Sequence, residues 1–373
     1  MSSFDVQYQD RAERLIQRAL SAQRLPHAYL FHGPDGVGKE TFARALAMLL
    51  LCPQPGRSES PDGQPRLSAC RSCDDCRLAQ AGTHPDLHLI YRQLIKYHDD
   101  PVVRRRKGLN LGVDVIRQFI IDKVGAKPGR GRAKVFVIRQ ADRITPQAQN
   151  ALLKTLEEPP GTTFLILLVS SLDRMLPTTR SRCHLTPFGT LPAHFIAAEL
   201  TRRLPRLPPQ RVRLIARFSQ GSLGLALQHA EDGLDGQNDQ LVQTLLELPR
   251  NSVAQVVEKL TDQAKTLGQG YRRRDPEITE TEAQRRGLKA IFALAATWYR
   301  DVLHTAIASS DLVANVAYAD QLTAAAAGIT PGRAVAAVNR IAETEAQLDA
   351  NVNTKLCLDA LVIRLTRLTG GAS

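Results

Sequence analysis

Residues 134–183 hold two short, unbroken apolar runs, 135–138 and 164–169, with one helical stretch between them. Runs of that length built from Val, Ile, Leu and Phe are typical of parallel strands covered on both faces. Between them, Thr145 supplies an N-cap hydroxyl, and Pro146 suits the first helical turn because it needs no N–H. Ala148, Ala151, Leu152 and Leu156 then share one helical face, and Pro159-Pro160 stops the helix. A strand–helix–strand unit of this kind implies a right-handed crossover in a doubly wound sheet. The expected fold class of this part of the chain is α/β.

A second motif lies upstream. A short strand at 28–31 runs into His32-Gly33-Pro34-Asp35-Gly36-Val37-Gly38-Lys39-Glu40-Thr41. Gly33, Gly38 and Lys39 match the G-x-x-x-x-G-K phosphate-loop frame in its strand-to-helix setting, with Gly36 inside the loop. In a working loop, backbone N–H groups cradle phosphates at the helix N-terminus, and the next Ser or Thr hydroxyl reaches Mg²⁺. Here Glu40 stands in that hydroxyl position. At the end of the central strand, where such ATPases keep the carboxylate that holds Mg²⁺ and the one that orients water, the chain has Arg139 and Gln140. A cation cannot ligate Mg²⁺, and a neutral amide is a poor base. The expectation is an ATPase-like site, with Gly33, Gly36, Gly38 and Lys39 as nucleotide-binding-like residues, that does not use ATP and Mg²⁺ productively.

The helix expected over 39–51 leads to Cys52, a Pro/Gly/Ser-rich loop from 53 to about 68, and then Cys70-Arg-Ser-Cys73-Asp-Asp-Cys76. Two interlocked C-x-x-C pairs plus a fourth cysteine across a flexible loop can close a tetrahedral Cys₄ site. Cys52, Cys70, Cys73 and Cys76 are therefore the expected ligands of a structural zinc. Four thiolates leave no open position for catalysis.

The chain carries 49 Lys and Arg against 37 acidic residues, a net charge of +12. That balance points to a polyanionic neighbour such as nucleic acid. The run Arg104-Arg105-Arg106-Lys107 could touch a nucleic-acid backbone, although a solvated loop is the simpler reading. No apolar run is long enough to span a bilayer and no signal peptide is visible, so no membrane partner and a cytoplasmic location are expected. Reduced thiols or metal ligands, rather than disulfides, follow from that location.

Other expected elements are a first helix over 5–20, a strand over 87–91 and an amphipathic stretch over 113–124. After Cys183 the strand–helix alternation is expected to stop. Helices are expected over 191–203 and 209–218, with another starting after Gln220-Gly221-Ser222-Leu223-Gly224. Residues 232–238 read as a linker. From about 239 onward, Ala, Leu, Gln and Arg recur at helical spacing, as in a helical bundle. Trp298 and Tyr299 could stack on bases, but core packing is their default role.

These residues resemble the clamp-loader subunits of bacterial DNA polymerase III, within the AAA+ class. The matching phrases are His27-Ala-Tyr-Leu-Phe31, the cysteine set, Asn150-Ala-Leu-Leu-Lys-Thr-Leu-Glu-Glu-Pro-Pro160, Ser181-Arg182-Cys183, Gly221-Ser222-Leu223 and the tail over 351–365. The resemblance implies an AAA+ P-loop-type parallel-sheet domain with the zinc module over 1–189. It further implies a small helical lid over 190–232 and an all-α oligomerisation collar over 233–373. It implies partnership with motor and delta-type loader subunits, with primer–template DNA and, indirectly, with the sliding clamp. The motor members carry acidic residues where this chain has Arg139 and Gln140, Ser or Thr where it has Glu40, and Arg where it has Gly224. The resemblance is therefore to the family's stator-like member, which is not an enzyme on its own. Ser181-Arg182-Cys183 looks like the family's arginine-finger motif, making Arg182 the expected catalytic residue in trans. The alternatives are an active motor subunit and a stand-alone zinc-containing DNA-binding protein.

Overall fold

The computed structural model describes residues 3–59, 63, 65–106, 108–130, 132–309, 312–350 and 352–369. Lys107 of the basic run and Asn351 of the tail motif lie outside the described residues. The chain divides into two compact units, Met1–Pro192 and Ala193–Ser373.

The first unit is built on a five-stranded parallel sheet. Its strands are β1 (Ala28–His32), β4 (Leu87–Ile90), β5 (Lys134–Ile138), β6 (Thr163–Val169) and β7 (His184–Pro187), in the order β4-β5-β6-β1-β7. The phosphate-loop strand β1 lies inside this sheet, with its loop at the strand's C-terminal end. Side chains alternate between two covered faces, as the unbroken apolar runs require. Leu30, Phe136, Ile138, Leu165 and Leu167 enter one core together with Val115, Ile116, Ile120, Leu152 and Leu156. On β1, Tyr29 and Phe31 point the other way, and Phe31 meets Phe42 at 5.6 Å and Phe188 at 5.1 Å between ring centroids.

The helix Pro146–Glu157 starts as its sequence dictates. The Thr145 hydroxyl accepts from the Ala148 N–H, and Pro146 sits in the first turn. Strand β7 is a departure from expectation, since the alternation continues one strand past Cys183. His184 and Leu185 are exposed at the sheet edge, so their apolar signal is weak. The first helix begins at Asp10 rather than residue 5. The 53–68 loop is instead a hairpin of β2 (Gly56–Glu59) and β3 (Pro65–Ser68), pinned by Gln17, whose amide exchanges two hydrogen bonds with Leu67.

The second unit is all-helical. The stretch read as a linker at 232–238 instead opens the helix Leu234–Leu246. Two of its polar residues reach partners inside the unit: Asp235 is paired with Arg211, and Asn238 donates 2.8 Å to the Asn315 side chain. The helices Val253–Arg274 and Glu280–Ala306 pack backbone to backbone. A Cβ on Gly287 would lie 2.0 Å from the Ala264 carbonyl oxygen. Trp298 and Tyr299 are 2% and 1% exposed, which assigns them to the core and removes any base-stacking role. No helix among the described residues is long and apolar enough to cross a membrane.

Candidate functional site

The phosphate loop leaves β1 at Gly33 and ends where Gly38 caps the helix Lys39–Leu51. Gly33, Gly36 and Gly38 have φ of 144°, 74° and 104°. A Cβ on Gly33 would lie 2.1 Å from the Phe188 carbonyl oxygen, so that position admits only glycine. Lys39 is buried. Its ammonium donates to the Gly33 carbonyl, to the Pro34 carbonyl at 2.7 Å and to Asp35 Oδ1 at 3.3 Å. The loop's own acceptors thus satisfy the charge that a phosphate would otherwise recruit. Burial lowers the Lys39 pKa, with Asp35 and then Asp142 acting against that shift.

Beside it, the two substitutions that read separately as losses form one contact. Arg139 Nε lies 2.9 Å from Glu40 Oε2, while the other Glu40 oxygen lies 3.0 Å from Arg44. Glu40 extends from the helix after the loop and Arg139 from the end of β5. The position of the metal-binding hydroxyl and that of the metal-binding carboxylate are thus bridged by a carboxylate–guanidinium pair. Gln140, exposed and at φ 50°, accepts a 3.1 Å hydrogen bond from the buried Arg92, so its amide oxygen already has a protein donor. Asp142, which the sequence reading passed over, accepts a 2.7 Å hydrogen bond from Ser170 at the end of β6. The only advance signal for it was a carboxylate two residues past Gln140.

The four cysteines converge, with all four sulfurs within 4.8 Å of one another. Tetrahedral zinc–thiolate bonds of about 2.3 Å place sulfurs about 3.8 Å apart, and Cys70 and Cys76 stand at 3.9 Å. Cys52 ends the helix Lys39–Leu51, and Cys73 caps the helix Asp74–Ala81 by accepting from the Cys76 N–H at 3.4 Å. Burial raises the Cys52 and Cys76 thiols, whereas N–H donors from Ser72 and Cys73 bring Cys70 down to about 6. The donor set fits a zinc ion, whose charge would make all four groups thiolates. Around it, Arg132 donates 2.8 Å to the Cys52 carbonyl, Asp75 pairs with Arg130 and His84, and Asp86 accepts from the N–H groups of Gly129 and Arg130. The basic loop before β5 is thereby tied to the cysteine module, a link that residue spacing did not signal. Cys183 and Cys357 lie in separate apolar cores, away from the cluster.

Arg182 follows the short helix Pro177–Arg180. Each residue of Ser181-Arg182-Cys183 has its own role. Ser181 Oγ donates 3.1 Å to the Thr178 carbonyl, Arg182 Nη1 donates 2.9 Å to the same oxygen, and Cys183 is buried in the sheet core. Arg182 also pairs with Glu157, so the guanidinium stays at the surface while its base is fixed. In the second unit, Ser222 caps the helix Leu223–Glu231 with a 3.0 Å hydrogen bond from Leu225 N–H, and Gly224 offers no side chain in its first turn.

Residues 8–192 match the protein family described as DNA polymerase III, delta subunit. The delta' subunit of DNA polymerase III from Escherichia coli is 35% identical over 216 residues, 58% of this chain and 57% of that subunit. That match therefore spans little more than half of the relative's length. The delta' subunit from Bacillus subtilis is 27% identical, across 96% of both chains. The tau subunit from Escherichia coli is 32% identical over 62% of this chain and 33% of tau.

Proposed function

Starting from a chain that resembles the delta prime subunit of the bacterial DNA polymerase III clamp loader, we propose that it is the non-hydrolysing, stator-like member of such a loader. Its task is to help place a sliding clamp on primed DNA, in assembly with motor and delta-type subunits. Its own ATPase-like site performs no turnover. The single observation that carries this reading is the Glu40–Arg139 pair. Mg²⁺ needs a hydroxyl and a carboxylate there, and those positions instead hold a carboxylate and a guanidinium that neutralise each other. Lys39, turned onto the Gly33 and Pro34 carbonyls, adds to the same reading.

Arg182 acts in trans as an arginine finger for ATP bound on a neighbouring motor. A planar, permanently charged fork suits the charge that spreads over a transferring phosphoryl group. The zinc is structural, held by Cys52, Cys70, Cys73 and Cys76, and supplies local folding energy rather than chemistry. Residues 190–232 serve as a lid and 233–373 as the collar through which subunits assemble. The net charge of +12 supports contact with the primer–template backbone.

The test is ATP hydrolysis by the purified chain and by a loader reconstituted with motor subunits, clamp and primed DNA. The isolated chain is expected to show background turnover only. Robust hydrolysis without motors, abolished by Lys39→Ala, would overturn the proposal in favour of an active motor. Tight DNA binding by the isolated chain, undiminished without partners, would favour a stand-alone DNA-binding protein.

A further inference from the structure

Arg182 is tied down at two points. Its Nε and Nη2 both address Oε1 of Glu157, and its Nη1 donates 2.9 Å to the Thr178 carbonyl. Glu157 is the last residue of the helix Pro146–Glu157, and Thr178 lies within Pro177–Arg180, so the anchors come from separate elements of one unit. A guanidinium has five N–H donors. Three are engaged here, which leaves two, one on each Nη. The Arg182 side chain is 32% exposed and that of Glu157 46%, so the pair stands at the surface with the guanidinium still reachable.

An unanchored arginine explores many rotamers, whereas this one is held along its Nε edge with Nη donors left over. That division of donors is what an in-trans finger requires, since one edge fixes direction while the remaining N–H groups meet an incoming anion. We propose that Glu157 is the positioning residue for Arg182. It orients the guanidinium so that its spare Nη donors meet a phosphate oxygen of nucleotide held by the adjoining subunit. The Thr178 carbonyl is the second anchor, and Ser181 steadies it by donating to the same oxygen. The proposal rests on the reading of Arg182 as a finger. It adds that the pairing prepares the cation for use rather than withdrawing it, because the phosphate joins Glu157 around one fork instead of displacing it.

The experiment is ATP turnover by the fully reconstituted loader with clamp and primed DNA. It compares wild-type chain with Glu157→Ala, Glu157→Gln, Glu157→Asp, Arg182→Ala and the Arg182→Ala/Glu157→Ala double variant, at matched assembly. Misplacing a reacting group by about 1 Å can cost about 10²-fold, so Glu157→Ala is expected to lower kcat at the site served by this chain by about 10-fold or more. KM for ATP should hold, Glu157→Asp should recover part of the rate, and Glu157→Gln should fall between. Glu157→Ala should add nothing in the Arg182→Ala background. A faster loader with Glu157→Ala or Glu157→Gln would overturn the proposal by making Glu157 a restraint. An equal loss in both backgrounds would make it merely structural. Full activity with every Glu157 variant, alongside a slow Arg182→Ala, would reject this inference but leave the finger intact. Full activity with Arg182→Ala would reject both. Glu157→Gln, which keeps shape and an acceptor oxygen, serves if Glu157→Ala fails to fold.

Discussion

Reversing the charge at Arg139 tests whether Glu40 and Arg139 are one device or two accidents. Arg139→Asp removes a 2.9 Å attraction and sets a second carboxylate against Glu40. The side chains are 46% and 31% exposed, so the medium is closer to water than to a protein interior. Two unit charges about 4 Å apart interact by about 1 kcal/mol in water, and exposed pairs measure about 0.2–1 kcal/mol. Losing about half a kcal/mol of attraction and gaining a similar repulsion costs about 1 kcal/mol in all. Arg44 remains on the other Glu40 oxygen and limits the damage. Glu40→Thr alone should cost less, and Glu40→Thr/Arg139→Asp should recover about half of the Arg139→Asp loss, because the repulsion is gone while the attraction is not regained. For a unit of this size, 1 kcal/mol corresponds to about 2–4 °C in Tm. Differential scanning calorimetry on the four proteins, with hydrogen exchange over the helix Lys39–Leu51, reads the cycle. The coupling should shrink at 1 M salt, where the screening length is about 3 Å. Additivity within about 0.3 kcal/mol, at low and high salt alike, would refute the pairing. The double variant restores a hydroxyl and a carboxylate but keeps Gln140, so it should still not turn over ATP.

Elemental analysis should find one zinc per chain; Cys73→Ser or chelation should release it and raise hydrogen exchange over residues 52–90, extending to the loop before β5 through Arg132 and Asp75, whereas Cys183→Ser and Cys357→Ser should retain the metal. In the second unit, Gly287→Ala must push two helices apart from a 2.0 Å clash with the Ala264 carbonyl, and should cost about 3 kcal/mol in urea melts followed by the buried Trp298. Gly236→Ala is the matched control: a Cβ there meets nothing within 4 Å, so it should stabilise by up to about 1 kcal/mol, and similar losses from both variants would refute the packing argument.

Much of the first unit could be read from local signals. An unbroken apolar run, a Thr-Pro start, a glycine-lysine frame and a C-x-x-C-x-x-C cluster each specify structure within a few residues, where backbone sterics and capping decide. The same locality explains the errors. Residues 232–238 look like a linker because Asp235 and Asn238 are polar, yet their partners Arg211 and Asn315 lie far along the chain. Strand β7 and the hairpin β2–β3 carry little apolar pattern, because one lies at a sheet edge and the other is largely exposed.

At the candidate site, spacing identified the converging cysteine set and the glycine-lysine loop frame, and marked Ser181-Arg182-Cys183 as a phrase of interest. It did not show that Glu40 and Arg139 meet, that Lys39 folds back on its own loop, or that Glu157 holds Arg182. The first joins the helix after β1 to the end of β5, which the parallel sheet brings to one edge; the second is a rotamer choice inside one loop; the third joins a helix end to the turn before β7. Residue types and their spacing therefore determined which groups stand in the loop, at the strand end and in the cysteine cluster, while the tertiary fold decided which of their charges meet, because pairing across elements depends on how the sheet and helices pack.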